Sequence, residues 1–137
     1  MLRTHGTLLG RSLIGLLFLL TGVGMLTNPN YGIDGVAGMI EMKGLPLAML
    51  LAWVVVVVKI LGGAALILGY RVGCAASALI VFTALTIVFF HLGEGESTNM
   101  LKNLALIGGL LYVLAYGPGG GWRLNKPNPP AVVESEE

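Results

Sequence analysis

Residues 45–69 read LPLAMLLAWVVVVVKILGGAALILG and carry a single charge, Lys59. A hydrocarbon core of about 30 Å asks for about 20 consecutive apolar helical residues. This run meets that length and is far too long for a strand. It also lacks the alternating pattern of a transmembrane β-barrel. The stretch therefore predicts a membrane-spanning helix.

Three further runs flank it. Leu8–Leu26 carries Arg11 alone, Val72–Phe90 carries no charge, and Leu101–Tyr116 carries only Lys102. The last run is short and borrows residues before it. The spans are expected at about 8–27, 45–69, 72–91 and 99–117, with a long loop at 28–44. After the first run comes Thr27-Asn28-Pro29-Asn30, with no small-residue cleavage site, so the first span is expected to be retained. Ile33–Met42 within the loop is apolar enough to form a short helix on the membrane surface. Residues 118–137 open on Gly-Pro-Gly-Gly-Gly, continue through Pro127, Pro129 and Pro130, and end acidic. They read as an extended tail. The fold class is all-α: an integral membrane four-helix bundle.

Composition agrees. Of 137 residues, 55% are hydrophobic and only 11% charged. Mean hydropathy is +0.86. A soluble domain this small cannot cover its surface with so few charges. A soluble enzyme is excluded, and so is a disordered chain. A net charge of +1 gives no basic surface for nucleic acid. The single cysteine, Cys74, cannot form an internal disulfide or a dithiol pair. It is expected to be a small packing residue. With only His5 and His91 as histidines, no metal or haem ligand set is expected from this chain alone.

Orientation follows from Lys and Arg. Arg3, Arg11, Arg71, Arg123 and Lys126 fall on the side of the termini, Lys43 and Lys102 on the other. The positive-inside rule places both termini in the cytoplasm.

Lys59 is the most informative residue. It lies ten positions from Gly69, about 15 Å at 1.5 Å per residue. Its stem cannot reach the interface, a charge at that depth is costly, and burial favours the neutral amine. It must face the bundle interior, a cavity or a partner. Lys59 reads as an anchor for a quinone carbonyl or an anion, or as a lysine bonded to Thr83 or Thr86. His91 closes the third span near Glu94, Glu96, Lys102 and Asn103, where it could move protons or merely cap the helix. Lys102 opens the fourth span, where a cation disfavours the helix start. A partner in Glu94, Glu96 or a ligand is expected for it. Arg11 can snorkel to the headgroups or face the core. Gly15, Gly22, Gly24, Gly62, Ala65, Gly69, Gly73, Ser77 and Ala78 are small positions that permit close helix approach. Gly62–Tyr70 (GGAALILGY) and Gly108–Tyr116 (GGLLYVLAY) echo each other, as a duplicated helical hairpin would; for a purely structural subunit, bulk at Gly62 or Gly108 is expected to disturb assembly more than any change at Lys59.

From Gly10 to Asn125 these features together resemble the DoxX family of small four-span bacterial membrane proteins. Arg11, Gly15, Phe18 and Gly22 match its first span. Lys59-Ile60-Leu61-Gly62-Gly63 with Leu68-Gly69 is similar to its second. His91, Lys102-Asn103-Leu104-Ala105, Gly108-Gly109 and Gly117-Pro118-Gly119 complete the series. The family often has glutamate where this chain has Lys59, which reverses the charge. It often has a lysine near Met25, and Ser-Leu-Asp where this chain reads Arg123-Leu124-Asn125. The resemblance implies a link to redox systems, including thiosulfate-to-quinone electron transfer in a related branch. The resulting expectation is an accessory subunit of a redox-linked system in the bacterial inner membrane, without independent catalysis. Lys59, His91, Lys102, Asn103 and Arg11 would contribute to ligand binding. No cofactor would be held by the chain alone, and a quinone is the candidate ligand. Its partners would be the lipid bilayer, other membrane or redox subunits, and copies of itself. The alternative is a purely structural subunit of a larger membrane complex.

Overall fold

The computed structural model describes residues 2–30, 32–93 and 95–124. Glu94, Tyr31 and the tail from residue 125 onward lie outside the described residues. Five helices follow in order: α1 (Leu2–Thr27), α2 (Gly32–Met42), α3 (Ala48–Leu68), α4 (Val72–Phe90) and α5 (Ser97–Tyr116). All but α2 are long and apolar enough to cross a membrane.

The helix boundaries have local causes. α1 starts before the apolar run, because nothing in Arg3–Thr7 breaks a helix; the apolar run marks only the greasy part. α3 starts at Ala48 rather than Leu45. Pro46 disfavours helical geometry in the residue before it, and Leu47 then turns through a left-handed conformation (φ 54°) into the helix. Gly69 ends α3 at φ 66°, and the Tyr70 amide bonds back to the Ala65 carbonyl at 3.0 Å. This is the closing pattern that glycine favours. The next helix begins three residues on, making α3 and α4 a tight antiparallel pair.

α1 lies along α3, α4 joins α3 to α5, and α5 closes the ring against α1. Apolar burial contributes little to association in lipid, where close packing matters more. The α1–α3 seam shows this. A Cβ on Gly15 would lie 2.6 Å from the Gly63 carbonyl oxygen, and one on Gly63 would lie 2.5 Å from the Gly15 oxygen. Seven residues along α1, a Cβ on Gly22 would lie 2.9 Å from the Ile60 side chain and 3.0 Å from that of Lys59. Gly62 presses on Leu79 of α4, and Gly109 on Ile14 of α1. The core above the seam is Phe18, Leu66, Val72, Ala76, Leu79 and Leu110.

Several small positions differ from expectation. Gly24 and Gly108 meet nothing within 4 Å. Gly73, Cys74, Ser77 and Ala78 are exposed, and the buried small residues of α4 are Ala75 and Ala76. The Gly62 and Gly108 echo thus falls on opposite environments. α2 does form, but Val36, Ala37 and Ile40 pack against Ala52 and neighbouring side chains instead of facing lipid. The helix sits on α1 and α3 at the end of the bundle away from Gly69.

Candidate functional site

Arg11 does not snorkel. It is fully buried at the Gly69 end of the bundle. Its guanidinium donates to the Leu66 carbonyl at 3.1 Å and to the Trp122 carbonyl. Beside it the Leu124 amide donates to the Leu68 carbonyl at 2.9 Å. The chain after α5 is therefore folded back across the end of α3, with Gly69 tucked under Arg11 and Arg123. A side chain there would collide with both. The cation also sits at the C-terminus of α3, where helix polarity favours positive charge. A cleft of about 710 Å³ opens between α1 and α5 beside this knot, lined by Thr7, Arg11, Tyr112 and Tyr116 among others.

The opposite end holds a different space. A cavity of about 390 Å³ lies between α1, α2, α3, α4 and α5, walled by apolar side chains such as Phe18, Met25, Ile40, Val55, Phe82 and Leu106. Its polar lining is sparse: Thr21, Lys59, Thr83, Thr86, His91 and Asn103. Sequence reasoning named Lys59, His91 and Asn103, and the fold brings all three to this one cavity. Arg11 lies at the other end, and Lys102 is exposed outside the lining.

The Lys59 ammonium is poorly satisfied. Nζ lies 4.0 Å from Met25 Sδ and 6.0 Å from the centre of the Phe82 ring. Neither is a strong acceptor. Thr83 and Thr86 donate to the carbonyls of Leu79 and Phe82 on their own helix, at 2.7 and 2.9 Å. Among the described residues, no oxygen bonds to Lys59. The amide of Asn103 likewise has no hydrogen-bond partner among them.

At the cavity mouth, His91 Nδ1–H donates to Glu96 Oε2 at 2.8 Å, and Asn99 Nδ2 donates to the same oxygen at 2.7 Å. Glu96 is therefore committed to His91 and Asn99, and Lys102 does not take it; Glu94, the other expected partner, lies outside the described residues. Hydrogen bonds from Asn99 and His91 hold the Glu96 carboxyl below the usual carboxylate range. Asn99 escaped sequence reasoning, although its spacing of four from Asn103 puts both on one face of α5.

The sign of the pH effect follows. A carboxyl lowered on folding contributes stability above its unfolded value, near pH 4.3, and loses it as pH falls through the folded value. Acid is expected to loosen the α4–α5 corner. Amide protection factors at Gly95–Asn99 should drop between about pH 6 and about pH 3. Glu96→Gln should abolish that drop, and equal protection at both pH values in the wild type would contradict the assignment.

Four long apolar helices, glycine-seamed and wrapped around a cavity with one unsatisfied lysine, define a helical membrane protein of four spans. Comparison with known proteins narrows this. The DoxX family model matches residues 6–92. The Escherichia coli protein named inner membrane protein YqjF is 34% identical over 117 residues, covering 83% of this chain and 85% of that protein. No solved structure matches. The chain belongs to the DoxX family. Lys102, Asn103 and the Gly117-Pro118-Gly119 closure lie beyond the part that the family model covers.

Proposed function

We propose that the chain is an inner-membrane protein, termini in the cytoplasm, that holds a lipophilic carbonyl compound of the quinone class for a redox-linked membrane system. A partner subunit would carry the redox group, and this chain would supply the cavity for the carrier. The name of the Escherichia coli relative supports the inner membrane, and the bias of Lys and Arg supports the orientation.

One observation carries the reading: Lys59 points its amine into an apolar cavity where its nearest partners are a thioether and an aromatic ring. A buried charge without an acceptor is costly. A ligand oxygen beside Nζ would remove that cost. Asn103 can donate to a second oxygen, and the apolar walls suit an isoprenoid or alkyl tail.

The test is equilibrium binding of a short-tailed ubiquinone analogue to the protein in nanodiscs. A hydrogen bond to a charged donor contributes about 1.5–3 kcal/mol. Lys59→Met should therefore weaken binding roughly 10- to 100-fold while the protein inserts and elutes normally. Unchanged affinity in Lys59→Met would sink the proposal.

A further inference from the structure

Of the polar residues that line the cavity, His91 alone bonds to a carboxylate among the described residues. No carboxylate lines it. His91 does, and behind His91 stands Glu96, whose side chain is 37% exposed. Glu96 engages Nδ1. This fixes the neutral tautomer with its proton on Nδ1, because an ionised carboxylate can only accept. Nε2 then carries the lone pair and has no partner among the described residues. The side chain lines the cavity and is 21% exposed, so it reaches both the cavity and the surface.

We infer that His91 is the proton port of this cavity, exchanging a proton between an ionisable hydroxyl on the bound ligand and Glu96 at the surface. The inference rests on the reading of the cavity as a ligand site and adds to it the class of ligand: a lipophile with an acidic hydroxyl, such as a quinol or a hydroxyquinone. In the release direction the ligand O–H bond breaks and an Nε2–H bond forms. The imidazolium then gives its Nδ1 proton to Glu96 Oε2 and water takes it from there, leaving His91 as its Nε2–H tautomer until uptake runs the same steps backward and restores Nδ1–H. No electrons move. The ligand is left as an oxyanion in a cavity whose one cation is Lys59.

The surroundings of His91 fit this role. Glu96 and Asn99 face it from the corner and from α5. Lys43 stands over the neighbouring Phe90 ring at 5.9 Å, on the α2 side. Toward the cavity come Thr86 and Asn103, and then Lys59. Phe82, beside Lys59, lies nine residues before His91, roughly 13 Å along the helix at 1.5 Å per residue. A ligand between them meets a donor at the Lys59 level and, in His91 Nε2, an acceptor at the other.

The experiment uses an alkylated 2-hydroxy-1,4-naphthoquinone, which is coloured as its anion and pale as its acid. The probe is bound to excess protein in nanodiscs, the pH is jumped, and the colour is followed by stopped flow. His91→Gln should slow the change roughly tenfold or more, read at a protein concentration that keeps the probe bound to both wild type and variant. Gln can still donate to Glu96 but cannot relay a proton. His91→Ala should be slow too, and free imidazole in the buffer should restore much of its rate. Glu96→Gln should slow relaxation less than either. Equal rates in wild type and His91→Gln, with the probe bound to both, would overturn the port while leaving the ligand site standing. Failure of wild-type protein to bind the probe would overturn the ligand site and the port together.

Discussion

Gly63→Leu is expected to leave a protein that inserts but does not pack. The Gly63 position faces backbone: its Cβ would stand 2.5 Å from the Gly15 carbonyl oxygen and 2.7 Å from the Leu19 nitrogen. Backbone cannot rotate away as a side chain can, so α1 and α3 must separate. Overpacking typically costs 1–3 kcal/mol, and with backbone as the obstacle about 3 kcal/mol is the fair expectation. Such a shift lowers the ratio of folded to unfolded protein more than 100-fold. The seam also supports Gly22 against Lys59, so the cavity wall should be lost with it. Titration with a denaturing detergent, followed by circular dichroism, gives the stability directly. Gly108→Leu is the control, since nothing lies within 4 Å of its Cβ. A Gly63→Leu protein as stable as the Gly108→Leu protein would refute the seam.

Arg11→Met should give the second largest effect, at the other end of the bundle. The guanidinium bonds α1 to the carbonyls of Leu66 and Trp122. Leu66 keeps a bond from the Gly69 amide, whereas Trp122 loses its partner. The Trp122 carbonyl is only part-buried, so its loss falls at the low end of the about 1–3 kcal/mol that an unsatisfied buried acceptor costs, and the lost packing of the fully buried Arg11 side chain supplies most of the effect. A total of about 2–4 kcal/mol is expected. Arg11→Lys should rescue little, because one ammonium cannot reproduce the guanidinium fork. The segment after Tyr116 would come away from α3, so trypsin should cut at Arg123 much faster than in wild type. Cleavage at the wild-type rate in Arg11→Met would show that the segment is held by other means.

The spans were legible because length and hydropathy alone select them. α2 was legible as a short helix at Ile33–Met42, within one residue of Gly32–Met42. What it packs on was not, since its apolar face suits lipid and protein equally. Depth along a span can be counted from the sequence, and depth is what singled out Lys59. Rotation about the helix axis is harder to read. Lys102 and Asn103 are neighbours in sequence, yet at 3.6 residues per turn they point about 100° apart. Only Asn103 reaches the cavity. For Arg11 the signal was present: with Gly15, Phe18 and Gly22 it repeats at helical spacing, which places it on the buried face rather than toward headgroups. The Gly62 and Gly108 echo misled for the same reason, because matching letters do not fix matching azimuths. The pairing of Glu96 with His91 and Asn99 depended on a corner whose shape no short motif encodes.

The Arg11 knot also has a history in time. Its acceptors lie 55 and 111 residues downstream. A ribosome adding about 5–20 residues per second delivers Trp122 roughly 5–20 s after Arg11. During that interval the first helix carries a cation whose final partners do not yet exist. Leu66 becomes available once the third helix is made, and Trp122 only after the last. The terminal end of the bundle is therefore sealed late in biogenesis, and the arginine records that every helix has arrived.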